Sequence, residues 1–170
     1  NSGVLVYSGT NNQTLGGILS GTGALTQNAA STLTLSGNNT YTGLTTITAG
    51  TLAISNNMSI GAITGSGNLS LGTGFTLTTN STSNTTFSGV ISGAGALAKA
   101  GTGALTLNGT NTFSGGVTLN TGTLNINSAT AIGNGTFTIA GGVIDNTSGG
   151  AITLSNNNNQ NWNSDFSFNG

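Results

Sequence analysis

Among its 170 residues the chain has no Cys, no Pro and no His, one basic residue (Lys99) and two acidic ones (Asp145 and Asp165). Without Cys there is neither a disulfide framework nor a thiolate metal site, and the redox compartment cannot be read from cysteine usage. A single Lys and a net charge of −1 leave no basic surface to neutralise phosphates or to attract anionic lipid, which sets aside nucleic acid and membrane surfaces as partners. No apolar run approaches the ~18 residues that a membrane-spanning helix needs. The opening Asn1-Ser2-Gly3 carries neither an initiator Met nor a signal peptide, so a mature product or a piece cut from a longer chain is expected.

What is abundant is Gly, with 30 residues, alongside many Asn, Thr and Ser. Hydrophobic residues make up only 34 %, a level at which disorder has to be considered and only the arrangement of the apolar residues decides. That arrangement is repetitive. Residues 20–55 lie over residues 92–127 without a gap, an offset of 72. Gly21 meets Gly93, Leu25 meets Leu97, and Leu33 and Leu35 meet Leu105 and Leu107. Gly37 meets Gly109, Asn39 meets Asn111, Leu52 meets Leu124 and Ile54 meets Ile126, while Tyr41 meets Phe113, keeping an aromatic there. The chain 1–170 is expected to be one domain, with units at about 4–75 and 76–147 and a partial third at 148–170.

Within a unit, apolar residues alternate with Thr, Ser or Asn, as in Leu33-Thr34-Leu35, Leu69-Ser70-Leu71 and Phe137-Thr138-Ile139. Period two marks a half-buried strand, and no stretch carries apolar residues at helical spacing, so essentially no helix is expected. Ser36-Gly37-Asn38-Asn39 and Asn108-Gly109-Thr110-Asn111 supply corners from residues that enter positive φ cheaply. Short strands, frequent corners and strong self-similarity favour a β-solenoid over a sandwich or barrel. There, equivalent side chains stack about 4.8 Å apart and each coil buries only a few inward residues, so a low apolar fraction suffices. Scarce charge agrees with this, because like charges stacked at that spacing repel by about 3.5 kcal/mol at an effective dielectric of 20. Coils of ~18–24 residues give about seven to nine turns and a rod of roughly 35–45 Å, right-handed as parallel crossovers are.

The segments Leu33-Thr34-Leu35-Ser36-Gly37-Asn38-Asn39-Thr40-Tyr41-Thr42-Gly43 and Ala49-Gly50-Thr51-Leu52 resemble the autotransporter-associated β-strand repeat, also called the passenger-associated transport repeat. The second copy, from Gly101-Thr102-Gly103-Ala104-Leu105-Thr106-Leu107 through Asn111-Thr112-Phe113-Ser114-Gly115-Gly116 to Gly122-Thr123-Leu124, resembles it too. Residues 131–170 look like the linking segment between copies. The resemblance implies a right-handed parallel β-helix in the secreted passenger of a bacterial surface protein, and an extracellular location. The first copy departs from the family form, with Gln27-Asn28-Ala29-Ala30-Ser31 where the second has Lys99-Ala100-Gly101-Thr102-Gly103. An outer-membrane barrel is missing, so self-export is not expected of this segment.

A hydrolase or lyase would need paired carboxylates, a metal cluster or a nucleophile with its base, and only Asp145, Asp165 and Lys99 are offered. The two Asp, 20 residues apart, could stack in neighbouring coils, but two carboxylates make a weak calcium site and solvated side chains are the plainer reading. Lys99 reads as an exposed lysine. Tyr41 and Phe113 read as corner anchors, and Trp162, Phe166 and Phe168, which share strand parity, as core filling rather than sugar platforms. Asn-x-Ser/Thr sequons such as Asn57-Met58-Ser59 follow from composition. No catalytic, cofactor-binding or metal-binding residue and no cofactor is therefore expected.

The expected role is a structural module of a bacterial extracellular fibre or adhesin, its partner being itself, through end-to-end stacking or adjacent repeats, with a cell or abiotic surface second. The alternative is a surface-binding module for ice or carbohydrate on a Thr/Asn-rich face, suggested by pairs such as Thr32 with Thr34 and Thr76 with Thr78.

Overall fold

A computed structural model describes residues 2–170 as a right-handed parallel β-solenoid of about 8 turns, with no helix among the described residues. Every strand pairing is parallel, and a coil closes after 17 residues where it is tightest (Leu52 beside Leu69) and 24 where it is widest (Ile144 beside Phe168). At about 4.8 Å per coil this gives a rod of about 38 Å. The expected architecture, handedness and absence of helix all stand.

The coil has three faces. The first is a ladder running from Val4–Tyr7 through the early part of Ala24–Leu35 and of Leu44–Ile54, then Ala62–Gly65, Thr85–Phe87, Ala104–Leu107, Thr123–Ile126, Val143–Asp145 and Ser167–Phe168. The second joins Gln13–Leu15, the later parts of Ala24–Leu35 and Leu44–Ile54, Asn68–Leu71 and Ile91–Gly93. It continues below as backbone bonds without regular strands, Thr112 N–H donating to Ile91 O and Asn134 N–H to Phe113 O. The third joins Met58–Ile60, Thr76–Thr79, Ala96–Lys99, Val117–Leu119, Phe137–Ile139 and Gln160–Trp162.

Alternation sends every second side chain inward, and the register stacks those into columns. Leu25, Ile63, Leu105, Leu124 and Ile144 share one column of the first face with the buried Thr45 and the half-buried Thr85. Leu33, Leu52, Leu69 and Ile91 share one on the second. Met58, Leu77, Leu97, Val117 and Phe137 share one on the third. These columns merge in a single buried core. Phe113, fully buried, fills the corner after the second face, and the residue below it in register is Gly133 at φ +65°, where a Cβ would lie 2.9 Å from Phe113 Cδ1.

The sequence repeat does not keep step with the coil. Leu25 lies on the first face and its counterpart Leu97 on the third; Leu33 lies on the second and Leu105 on the first. Leu19, bonded through its carbonyl to Thr40 N–H on the third-face column, has its counterpart Ile91 on the second. The 72-residue offset thus spans three and two-thirds turns, and each copy is rotated by one face relative to the other. This works because the three faces make the same demands: an inward Leu-x-Leu pair, then a corner.

Candidate functional site

The residues that the two copies share converge on their corners. Asn39 and Asn111 are both buried. Asn111 Oδ1 accepts from Ile91 N–H at 2.8 Å while its Nδ2 donates to Ala131 O at 2.6 Å, so one amide bonds the coil above and the coil below. Asn39 Oδ1 likewise accepts from Leu19 N–H at 2.7 Å, and Nδ2 donates to Gly37 O at 3.0 Å. Each side chain replaces backbone bonds that the chain loses on turning a corner, satisfying polar groups that burial would otherwise penalise. Two residues on, Tyr41 and Phe113 anchor the corners as expected, both buried. The Tyr41 hydroxyl is hydrogen-bonded to Thr45 Oγ1 at 2.7 Å; burial pushes its pKa up to about 12, with the Thr45 bond opposing the shift.

Lys99 is not the exposed lysine expected: it is 1 % exposed. It shares the inward parity of Leu97 and lies in a column between Thr79 and Leu119. Its ammonium reaches a corner and donates to Gly101 O and, at 3.2 Å, to Thr121 O. No carboxylate accompanies it, and desolvation holds its pKa below the ordinary lysine value. The counterpart Gln27 is equally buried and does the same with a neutral amide: Nε2 donates to Ala29 O at 3.1 Å and Ser31 O at 2.8 Å. Gln27 Oε1 has no partner. The coil below each plug is Gly, Gly50 at φ +61° and Gly122 at φ +74°, and a Cβ at Gly122 would lie 2.6 Å from Lys99 Nζ. Alternating parity is the signal that places both plugs inside.

The remaining candidates are dispersed. Val143 and Ile144 pair with Ser167 and Phe168, so Asp165 falls short of Asp145, whose Oδ1 accepts from Asn146 N–H; the two carboxylates do not stack. No group of three or more His, Cys, Asp or Glu side chains that could hold a metal ion occurs among the described residues. Trp162 and Phe168 do not fill the core: they are 68 % and 67 % exposed, although Trp162 continues the column of Ile139 and Phe168 that of Ile144. No described coil lies beyond them to cover those columns. Trp162 packs edge-on against Phe166, with ring centroids 5.5 Å apart.

Outward residues form one Thr rank on the first face, with Thr26 beside Thr46 and Thr46 beside Thr64. The rank two residues earlier holds Ala24, Leu44 and Ala62, so no second Thr rank adjoins it. Below Leu44 the corner shrinks to Gly61 alone, between Ile60 and Ala62, whereas one coil further on it takes residues 80–84. The mismatch leaves a lateral notch of about 690 Å³ with an apolar floor of Leu44, Ile60 and Ala62 and a rim that includes Thr40, Thr42 and Ser83.

The family model of the passenger-associated-transport-repeat matches the chain twice, over residues 25–54 and 97–126. No curated protein and no solved structure matches it. The two matched stretches contain both plugs, both corner asparagines and both aromatic anchors, and each is similar to a passenger-associated transport repeat.

Proposed function

We propose that this segment is a structural module of a secreted bacterial surface protein, a stiff charge-poor rod in the passenger of an extracellular fibre or adhesin. The observation that carries the reading is the pair of family repeats, 25–54 and 97–126, sharing one buried core along parallel ladders. A ladder of main-chain bonds along the axis resists extension, while uncharged Thr, Ser and Asn columns keep the surface polar without stacking like charges. No residue carries catalysis under this reading.

Its partner is a further coil of the same kind, added edge to edge as a parallel strand. In support, the outermost described coils present Val4, Val6, Trp162 and Phe168 to solvent. Antibody labelling and protease shaving of intact cells that make the parent protein are expected to reach this segment, and confinement to the cytoplasm overturns the reading. Electron microscopy and mass measurement of the native material are expected to reveal filaments or long rods; a monomer of constant mass across concentrations removes self-association.

The notch below Leu44 favours a second reading, binding of a neutral glycan, since hydroxyls and amides rim an apolar floor with no charged group among its lining residues. A glycan array with the wild type and with Leu44→Glu tests it, and equal signals from both discard it.

A further inference from the structure

The notch between the third and first faces is built from three successive coils. Thr40, Thr42 and Leu44 overhang it from the coil above, Ile60, Gly61 and Ala62 make its recessed floor, and the corner 80–84 bounds it below. At about 690 Å³ it falls within the size range of small-molecule sites. Its apolar part is aliphatic: Ile60 and Ala62 are buried, Leu44 is 40 % exposed, and no aromatic ring lines it. A sugar ring therefore finds no face to stack on, and the floor suits a methyl group instead.

The corner below holds two amides in fixed orientations. Asn80 Nδ2 donates to Ser59 Oγ, and Asn84 Oδ1 accepts from Ala104 N–H at 2.8 Å. The loop between them is braced: Ser81 Oγ donates to Ser83 O at 2.9 Å and accepts from Ser83 N–H at 3.0 Å, while Gly103 N–H donates to Ser81 O at 3.0 Å. That leaves Asn80 Oδ1 and Asn84 Nδ2 without a hydrogen bond to any described residue, and both exposed side chains line the notch. One end of the corner thus offers an acceptor and the other a donor, with the aliphatic floor beside them. A secondary amide carries its N–H and C=O on opposite sides, and an acetamide adds a methyl group.

We propose that the notch binds the acetamido group of an N-acetylhexosamine in a neutral glycan, an inference that rests on reading the notch as a glycan site. The acetamido N–H donates to Asn80 Oδ1, its carbonyl accepts from Asn84 Nδ2, and its methyl lies on Ile60, Ala62 and Leu44. The hydroxyls of Thr40, Thr42 and Thr82 take the hydroxyls of the sugar. With no titratable side chain among the lining residues, a charged sugar gains no ionic partner. A peptide amide is the competing occupant, but peptides dock on β folds through an unpaired strand edge. Here the main chain is bonded coil to coil, Thr42 N–H donating to Gly21 O and Asn80 N–H to Ile60 O and Gly61 O.

Titration of the whole isotope-labelled chain with chitotetraose and with cellotetraose, followed by amide shifts in nuclear magnetic resonance, tests this, because the two tetramers share a backbone linkage and differ in the acetamido group. Chitotetraose is expected to bind about tenfold or more tightly, since two hydrogen bonds and a methyl contact are at stake, with shifts centred on residues 60–62 and 80–85. Asn84→Asp keeps the acceptor for Ala104 N–H and replaces the free donor with an oxygen that repels the carbonyl. It should keep the wild-type Tm and bind chitotetraose no better than cellotetraose. Equal affinity of the wild type for both tetramers overturns the acetamido assignment and leaves the glycan reading standing, whereas no binding of either tetramer together with a blank glycan array removes both. Undiminished selectivity in folded Asn84→Asp overturns the assignment as well. Acetyl-trialanine amide, the peptide probe, should leave these amides in place, and shifts matching those of chitotetraose overturn the proposal in favour of a peptide. Should Asn84→Asp fail to fold, the wild-type comparison of the two tetramers decides.

Discussion

Asn111 gives the sharpest test of how the corners hold the coils together. Its amide bonds Ile91 N–H and Ala131 O across the corner, one coil above and one below, and it is 1 % exposed. Asn111→Ala removes both bonds at once and leaves a buried donor and a buried acceptor unpaired. At about 1–3 kcal/mol for each orphaned group the loss is about 2–6 kcal/mol, a fall in Tm of roughly 5–20 °C for a chain of this size. Asn111→Asp refines the test. A protonated Asp can still accept from Ile91 N–H and donate to Ala131 O, whereas the carboxylate is desolvated and faces a carbonyl oxygen, so burial raises its folded pKa above the unfolded value. A group with a raised folded pKa stabilises fully below the unfolded pKa and loses that contribution as pH rises through the folded one. Asn111→Asp is therefore expected to be nearer the wild type at about pH 4 than at about pH 7. Melting followed by far-ultraviolet circular dichroism, with hydrogen exchange at the Ile91 amide, measures both effects. Wild-type stability in Asn111→Ala, or an Asn111→Asp protein more stable at neutral pH than in acid relative to the wild type, refutes the assignment.

Phe113→Ala should cost about 3–5 kcal/mol through the cavity it leaves, and Gly133→Ala should destabilise strongly through its positive φ and contact with Phe113; chemical denaturation of both, and of Gly133→Ala with Phe113→Leu, should find partial rescue in the double variant. Alkaline titration should find two opposing effects. Lys99, with a lowered folded pKa, adds stability as pH rises through that value toward the unfolded one, and Tyr41, with a raised one, loses stability as pH rises from about 10 toward about 12. Lys99→Met should remove the gain and Tyr41→Phe the loss, as read by Tm against pH, and unchanged profiles would discard these attributions. Deletion of residues 20–91, one whole repeat unit, should leave a folded solenoid shorter by about 18 Å in small-angle scattering. Its unfolding, with deletion of the single coil 25–44 tolerated, would contradict the equivalence of the three faces.

Much of this was legible before any coordinates. Alternation in Leu33-Thr34-Leu35 and its counterparts fixed which side chains point inward, and a period of two with corner residues leaves little besides a solenoid. Tyr41 opposite Phe113 identified a buried corner. The errors have physical reasons. Lys99 was read by its residue type, although its parity with Leu97 placed it inside, where carbonyl dipoles replace the solvent a lysine normally demands. Trp162 and Phe168 do have inward parity, but parity gives a direction and not a cover. The separation of Asp145 from Asp165 depends on the widening of the last coil to 24 residues, from Ile144 to Phe168, and corner lengths are set by tertiary packing rather than by any local pattern. The notch arises in the same way, from Gly61 alone turning a corner that takes five residues one coil later.

The slippage between repeat and coil has an outcome for any assembly of many such units. A patch carried by one copy reappears on its neighbour about a third of a revolution away and some 18 Å further along, and a third copy would complete the circuit. Features that recur once per unit would then wind around the shaft like a screw thread. A filament made this way would meet a surface with equivalent chemistry whichever side it rolled onto.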